Sequence, residues 1–197
     1  MMKVAANGRI VIVGASLAGL RAAEALRKEG FGGSLTMIGD EPHAPYDRPP
    51  LSKTVLTGRL PVDRTTLPRL WNVEAEWLLG IPAVGLDLDN RQVHLADGRE
   101  IPFDRLLIAT GTRARPWPDT KQAALKGVFT LRTRDDSARL REFLVAGPRR
   151  VLVIGAGFTG GPAASFRCSF DPQTARSGGP ALRSPTGNDD WAGSPTR

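Results

Sequence analysis

Residues 10–40, IVIVGASLAGLRAAEALRKEGFGGSLTMIGD, decide the fold of this 197-residue chain. The β-branched run at 10–13 predicts a buried strand of a parallel sheet. Apolar residues at three- and four-residue spacing then predict a helix, which ends at the glycines that begin with Gly30. Residues 34–38 predict a second strand. This strand–helix–strand order, with glycines in the first turn and an acid after the second strand, predicts a dinucleotide-binding βαβ unit.

The turn between the first strand and the helix contains the residues that would meet a nucleotide. Gly14 permits a tight turn, and Gly19 lets the helix pack closely on the sheet. The helix N-terminus offers unpaired N–H groups to a pyrophosphate, and Asp40 is spaced to accept hydrogen bonds from an adenosine ribose. Ser16 replaces the middle glycine of the fingerprint, where it would either crowd the phosphates or donate its hydroxyl to them. An ordinary βαβ unit whose glycines serve only packing is the alternative.

Composition restricts the class of function. The formal net charge is +7, but the basic residues are scattered, so a solvated basic surface is favoured over a nucleic-acid interface. A single cysteine, Cys168, excludes an internal disulfide, and two histidines do not make a metal cluster. The N-terminus lacks a signal peptide's apolar core, and the apolar run after it is too short to span a membrane. We therefore expect a cytoplasmic protein that binds no metal, nucleic acid or membrane.

The segments after the βαβ unit predict a loop, a meander and one further parallel strand. A proline-rich loop leads to a short helix with Ser52 as its N-cap, which places Lys53 in a first turn where the helix dipole disfavours a cation. A loop and a helix precede a short strand at 76–79. Residues 82–101 alternate as an antiparallel meander, and 103–109 predict another buried strand. A meander inserted before the next parallel strand is typical of flavoproteins rather than dehydrogenases.

Residues 149–160, RRVLVIGAGFTG, repeat the opening pattern about 140 residues later. A β-branched strand is predicted before Gly155, Gly157 and Gly160, which complete a G-x-G-x-x-G fingerprint. The pattern requires a long helix after Gly160 and then a strand ending in an acid, and we expect neither to follow. Gly, Pro and Ser are so frequent in 161–197 that we expect a disordered tail.

Five stretches carry a resemblance to a known family. Residues 9–160 resemble the N-terminal part of FAD-dependent NAD(P)H:ferredoxin reductases of the putidaredoxin and rhodocoxin reductase type, in the pyridine nucleotide-disulfide oxidoreductase superfamily. The stretches are VIVGASLAGLRAAEALR, MIGDEPHAPYDRPPLSKTVLTG, VHLADGREIPFDRLLIATGTRARP, FTLRTRDDSARL and VLVIGAGFTG. The RPPLSK and LLIATGTRAR blocks are more discriminating than any glycine pattern.

The resemblance implies an activity and the residues that serve it. The activity is hydride transfer from NAD(P)H to FAD, then single-electron transfer to a ferredoxin-type [2Fe-2S] protein. Lys53 would be the catalytic residue beside the isoalloxazine, and Arg132 would face the flavin from the next domain. A solvated lysine and a surface arginine are the alternatives. The other implied FAD contacts are Gly14, Ser16, Ala18, Gly19, Asp40, Arg48, Val84, Thr110 and Gly111, and the implied NADH contacts are Gly155, Gly157 and Gly160.

The resemblance also implies a division of the chain. Residues 1–114 would form an incomplete FAD-binding domain, 115–160 would begin an NAD(P)H-binding domain, and 161–197 would be a tail left by a frameshift or gene decay, a true linker being the alternative. Pro162 stands where the family has a glutamate that pairs with the flavin-side lysine.

The expected fold class is α/β, with a Rossmann-like FAD-binding parallel sheet, an inserted antiparallel β-meander, the start of a second Rossmann-like NAD domain and a disordered C-terminal tail. Two functional hypotheses remain. One is a truncated ferredoxin reductase, and the other is a catalytically inactive fragment with at most weak FAD binding.

Overall fold

A four-stranded parallel sheet forms the centre of the computed structural model, which describes residues 7–148, 150–155, 157, 159–161, 163 and 164. Its strands, numbered along the chain, are β1 (Arg9–Val13), β2 (Ser34–Gly39), β3 (Glu76–Leu79) and β7 (Arg105–Ile108). They lie in the order β3-β2-β1-β7, so β1 has a parallel neighbour on each side. The inner position of β1 explains why its residues Ile10–Ile12 are all buried.

The crossover helix α1 (Leu17–Lys28) connects β1 to β2 and packs on one face of the sheet. Alternate residues of a strand point to the same face, and here alternate residues of β1 and β2 meet the apolar stripe of the helix. The buried cluster on this face contains Ile10, Ile12, Leu20, Ala23, Phe31, Leu35, Met37 and Val73. The predicted strand–helix–strand unit is confirmed.

The predicted meander is also confirmed. Strands β4 (Ala83–Asp87), β5 (Gln92–Leu95) and β6 (Glu100–Pro102) form a separate antiparallel sheet in that order. Val93 and Leu95 of β5 pack against the other face of the parallel sheet, where they meet Val11, Ile38 and Leu78. The parallel sheet is thus covered by α1 on one face and by the meander on the other, which confirms the α/β class.

The segment around Lys53 differs from the expectation. Ser52 does not cap a helix. It ends a single 3₁₀ turn, Pro49–Ser52, and Lys53 follows that turn. Prolines are accommodated at the first helical positions because those N–H groups have no partner within the helix. Lys53 therefore does not lie in a first turn, and the conflict expected with the helix dipole does not arise. The helix expected before β3 is likewise a single 3₁₀ turn, Val62–Thr65.

The burial expected of the strand at 103–109 is wrong for most of β7. Phe103 is buried, but Leu107 and Ile108 are exposed. The reason is the strand's position, because among the described residues β7 pairs with β1 and forms the edge of the sheet.

After β7 come two helices, α2 (Thr120–Ala123) and α3 (Arg134–Val145), and then the second glycine turn. The strand expected before Gly155 is not formed in 150–155: these residues have no strand pairing with other described residues, and Val151–Ile154 are exposed. A helical turn nevertheless begins after the glycines, since the N–H groups of Gly161 and Ala163 donate to carbonyls four residues earlier. The expectation that no long helix follows Gly160 stays a prediction, because the chain beyond Ala164 lies outside the described residues.

Beyond Ala164, the predicted disordered tail lies outside the described residues. The division of the chain at 114 and 160 stays a prediction. In the described part of the chain, every helix is too short or too polar to cross a membrane.

Candidate functional site

Two adjoining cavities lie where the parallel strands end. The larger, of about 300 Å³, is lined by residues that follow β1, β2 and β7, by the start of β4 and by the segment before α3. The smaller, of about 230 Å³, is lined by five residues of the segment 48–53, by Leu131 and by Thr159. Arg48 and Arg132 line both cavities, so the two adjoin, and together they are called the cleft here. Open parallel sheets bind ligands at this carboxyl-terminal edge.

The first glycine turn is tight because two close backbone contacts leave no room for side chains. Gly14 has a φ of +123°, and a Cβ there would lie 2.1 Å from the carbonyl oxygen of Ala109. A Cβ on Gly19 would lie 2.0 Å from the carbonyl oxygen of Gly14. Gly19 therefore lets the start of α1 contact the backbone of Gly14, which is a more specific role than helix–sheet packing.

The N-terminus of α1 is suited to an anion. Ser16 is the N-cap residue, but its side chain makes no capping hydrogen bond, and the first turn contains no acidic residue. The hydroxyl of Ser16 and the first N–H groups of the helix are the donors that a phosphate group requires. For Ser16, this geometry favours donation of the hydroxyl to the phosphates over crowding of the phosphates.

Asp40 lies directly after β2 and lines the larger cavity. Its Oδ2 accepts a hydrogen bond of 2.7 Å from Nη2 of Arg113, which follows β7 and lines the same cavity. The expected ribose acceptor is thus already paired with a cation that the sequence patterns did not identify.

Arg48 is held in place by a network on the same side of the cleft. Its Nη2 donates to Oε1 of Glu41 at 2.6 Å, and its Nη1 donates to Oη of Tyr46 at 3.0 Å and to the carbonyl of Arg132 at 3.2 Å. The Tyr46 hydroxyl in turn donates to Glu41. Burial, together with that hydrogen bond to Glu41, raises the pKa of Tyr46 above its usual range, so the phenol stays neutral.

The Tyr46 ring is enclosed by two guanidinium groups. The guanidinium carbon of Arg48 lies 4.9 Å from the ring centroid and that of Arg134 lies 4.6 Å from it. Arg134 is buried and donates to Thr65 and Thr66. These contacts join the first residue of α3 to the proline-rich loop that contains Tyr46 and Arg48.

Arg132 is positioned by the capping box of α3. Oδ2 of Asp136 accepts from the N–H groups of Arg132 and Thr133, each at 3.0 Å, and the Thr133 hydroxyl accepts from the N–H of Asp136 at 3.1 Å. Burial tends to raise the pKa of Asp136, but the N–H donors of Thr133 and Arg132 and the guanidinium of Arg139 outweigh it and lower that pKa. The Arg132 Nε donates to the carbonyl of Thr112 at 3.1 Å.

Lys53 lines the smaller cavity, at the end of the cleft away from Asp40. It is exposed, and none of the ion pairs between described residues includes it. Thr159, from the second glycine turn, lines the same cavity. The smaller cavity therefore brings the expected catalytic lysine next to the second fingerprint.

The structure brings together some of the predicted site residues and not others. Those lining the cleft are Gly14, Asp40, Arg48, Lys53, Thr110 and Arg132. Those outside the lining are Ser16, Ala18, Gly19, Val84, Gly111, Gly155, Gly157 and Gly160. Two of these lie beside it, since Pro82 and Ala83 line the cavity next to Val84, and Gly111 lies between the lining residues Thr110 and Thr112.

The sequence analysis missed Glu41, Tyr46, Arg113, Asp136 and Thr159. One signal was available, because Thr133 and Asp136 stand at the spacing of a capping box. Arg113 has no local signal, since its partner Asp40 is 73 residues away.

Comparison with known proteins gives the family. The sequence profile of the pyridine nucleotide-disulphide oxidoreductases matches residues 8–174. The chain is 42% identical over 153 residues to the ferredoxin–NAD(+) reductase component of the biphenyl dioxygenase system of Paraburkholderia xenovorans, covering 77% of this chain and 37% of that protein. It is 40% identical over 154 residues to the corresponding component of the p-cumate 2,3-dioxygenase system of Pseudomonas putida, covering 77% and 38%.

Solved structures agree with this assignment. The covalent putidaredoxin reductase–putidaredoxin complex matches with a TM-score of 0.72 and 34% identity, over 82% of this chain and 40% of that one. A ferredoxin reductase from Rhodopseudomonas palustris matches with a TM-score of 0.74 and 34% identity, over the same shares. The chain thus spans about two fifths of the length of these relatives.

The family and the ferredoxin–NAD(+) reductases use FAD and NAD(P)H. The likeness to the solved reductases confirms the expected Rossmann-like FAD-binding fold. The glycine turn, the inserted meander and the cleft at the carboxyl ends of the strands agree with that fold. The chain therefore belongs to the pyridine nucleotide-disulphide oxidoreductase family.

Proposed function

We propose that this chain is the FAD-binding portion of an oxidoreductase that passes electrons from NAD(P)H through FAD to a ferredoxin-type [2Fe-2S] protein. The observation that carries the proposal is the continuous cleft, which runs from the first glycine turn and Asp40 past Arg48 and Arg132 to Lys53. Its two cavities together provide the space of a typical ligand pocket, roughly 300–1,000 Å³. A ferredoxin partner is supported by the names of the relatives.

The residues of the cleft fit the successive parts of FAD. Asp40 offers a carboxylate to the ribose hydroxyls, and the N-terminus of α1 with Ser16 offers donors to the pyrophosphate. Arg48 places a fixed positive charge between the two cavities, because Glu41 and Tyr46 hold its guanidinium. FAD, when bound, supplies the chemistry of accepting a hydride and releasing single electrons.

At the other end of the cleft, Lys53 and Arg132 supply positive charge where the flavin ring would lie. A cation held near the ring favours the added negative charge of a reduced flavin. Lys53 has an exposed side chain, so its role depends on a partner that orients it. We therefore assign Lys53 to the reactive end of the site and Asp40 to the adenosine end.

A second candidate function is a fragment without turnover that binds FAD weakly. The supporting observation is the exposure of β7 and of residues 151–154, because both segments lie next to the glycine turns that a cofactor would contact. Because these apolar residues are exposed and not packed, FAD binding would have to order them, and that cost lowers the affinity.

The test is a fluorescence titration of FAD into the purified 197-residue protein, with FMN as the comparison ligand. We expect one FAD to bind, weakly enough to be lost on gel filtration, and FMN to bind less tightly because it lacks the adenosine half. Replacing Arg48 with Gln should weaken FAD binding about tenfold or more, as expected on loss of a charged hydrogen-bonding group.

The matched control is Arg59→Gln, which changes an exposed arginine on the same loop that lines neither cavity. It should leave FAD affinity unchanged. Circular dichroism checks that both variants fold. Equal affinity of Arg48→Gln and the unmodified chain, or no FAD binding by the unmodified chain, would contradict the proposal. The cytoplasmic location expected from the sequence stays a prediction.

A further inference from the structure

We infer that Arg113 is a further cofactor-binding residue, which closes the adenosine end of the cleft in partnership with Asp40. The inference rests on the proposed function, since it assumes that FAD lies in the cleft. Neither Arg113 nor its ion pair belongs to the glycine fingerprint or to the roles implied by the resemblance.

The ion pair spans the end of β1. Asp40 follows β2 and Arg113 follows β7, and these strands lie on opposite sides of β1 in the sheet. The hydrogen bond from Arg113 Nη2 to Asp40 Oδ2 therefore crosses above the point where β1 ends and Gly14 begins the turn. Both side chains line the larger cavity. A nucleotide that reaches from the glycine turn to Asp40 would therefore lie beside this ion pair.

The pair retains unused bonding capacity. Among the described residues, Nε and Nη1 of Arg113 and Oδ1 of Asp40 have no hydrogen bond to protein. The free carboxylate oxygen can accept from a ribose hydroxyl, and the planar guanidinium can lie on an aromatic base or donate to a phosphate. An adenosine group offers partners of both kinds.

The pair contributes little to the fold by itself. The side chain of Arg113 is 79% exposed and that of Asp40 is 45% exposed, and ion pairs as accessible as this one contribute little to stability. A bound nucleotide would exclude water from the pair and strengthen it. Arg113 can therefore serve ligand binding without being needed for folding, and a substitution there should leave the fold intact.

The opposite possibility is that Arg113 is a latch, meaning a residue that competes with the ligand for Asp40. In that case Arg113 would occupy the carboxylate that the ribose needs, and its removal would tighten binding. The two roles predict opposite signs for one substitution, so a binding measurement distinguishes them.

The experiment titrates FAD, ADP and FMN into the full chain and into the variants Arg113→Gln and Arg115→Gln. Arg115 is the matched control, because it is an exposed arginine two residues away that lines neither cavity. We expect Arg113→Gln to weaken FAD and ADP about tenfold, as for a lost cation–π or charged contact, and to leave FMN unchanged. Arg113→Lys should recover part of the loss, and Arg115→Gln should change nothing.

Four results overturn the inference. Unchanged or tighter FAD and ADP binding by Arg113→Gln shows that the residue is a bystander or a latch. An equal loss of FMN affinity shows that the residue does not act at the adenosine end. If the unmodified chain binds FAD but the two glutamine variants behave alike, the inference fails and the proposed function stands. If the unmodified chain binds neither FAD nor ADP, both fail.

Discussion

The two glycine turns of this chain have nearly the same local geometry. Gly14 and Gly155, which begin them, have φ angles of +123° and +110°. A Cβ on Gly19 would lie 2.0 Å from the carbonyl oxygen of Gly14, and a Cβ on Gly160 would lie 1.8 Å from that of Gly155. The same spacing of glycines therefore produces the same turn, and the local sequence is sufficient for it.

The segments that lead into the two turns are different. Ile12 in β1, two residues before Gly14, is fully buried between β2 and β7. Val153, two residues before Gly155, is 38% exposed, its neighbour Ile154 is 69% exposed, and neither belongs to a strand. Among the described residues, nothing pairs with 150–155. A β-branched run is suited to a strand, but it becomes one only where neighbouring strands and a covering layer accept it.

The largest expected effect comes from removing one side chain from β1 and one from the segment 150–155. Ile12→Ala should lower the free energy of unfolding by about 2–5 kcal/mol, because it leaves a cavity in the buried cluster. Ile154→Ala should change it by less than about 0.5 kcal/mol, because the side chain is exposed. Urea denaturation followed by circular dichroism measures both. Equal losses would show that the second segment is packed in solution and that the comparison is wrong.

A smaller difference is expected from the glycines that close the turns. Gly19→Ala should cost about 1–3 kcal/mol of unfolding free energy, since the added methyl group would meet the Gly14 carbonyl. The methyl group of Gly160→Ala meets the equivalent carbonyl, but within the described part of the chain this turn follows no paired strand, so the strain can be relieved by local rearrangement. The same denaturation experiment should therefore detect only the first substitution. A comparable loss at Gly160 would mean that the second turn folds cooperatively with the sheet.

The smallest effect concerns the start of β1, which has an electrostatic anchor. Asp104 accepts hydrogen bonds from the side chain and the N–H of Arg9, and these lower its pKa to about 2. Because the pKa is lower in the folded chain than in the unfolded one, this stabilisation is complete above about pH 4. It should be lost as the pH falls from about 4 towards 2.

Thermal unfolding between pH 6 and pH 2 measures this dependence. Asp104→Asn should lower the melting temperature at pH 6 and reduce the fall below pH 4. Asp89→Asn is the control, since Asp89 is an exposed meander carboxylate that takes no part in this anchor. A pH profile of Asp104→Asn that parallels the unmodified chain would exclude the anchor.

The fold could be predicted from sequence where local pattern and tertiary context agree. Residues 10–40 have the glycines, the helix period and the strand residues of one unit, and the structure confirms all three. The segment at 150–155 has the same strand residues without neighbours, so the pattern alone gave the wrong result there. Lys53 was misplaced for another reason. Pro49 and Pro50 are the first residues of a 3₁₀ turn and not the end of the loop before a helix, so Lys53 follows the turn.

The cleft was only partly predictable because its polar network joins distant segments. Arg48 depends on Glu41, seven residues away, and on the carbonyl of Arg132, 84 residues away. Asp40 pairs with Arg113 across β1. Contacts of this kind follow from strand order and loop length, which a sequence pattern does not specify.

We propose that the first glycine turn belongs to a flavin site and that the second does not present a working nicotinamide site in this chain. Hydride transfer needs the nicotinamide held against the flavin in a near-attack geometry, and residues 150–155 offer no ordered sheet for that purpose. We therefore expect FAD to bind and NADH to leave it oxidised.

The most direct measurement mixes the FAD-loaded protein anaerobically with excess NADH in a stopped-flow spectrometer. The visible flavin band reports both claims, because its perturbation on binding shows a bound flavin and its bleaching shows reduction by NADH. Dithionite provides the control that the bound flavin can be reduced. We expect a protein-bound flavin that stays oxidised with NADH and bleaches with dithionite. Bleaching by NADH within about a second, the timescale of ordinary enzyme turnover, or the absence of any bound flavin, would contradict it.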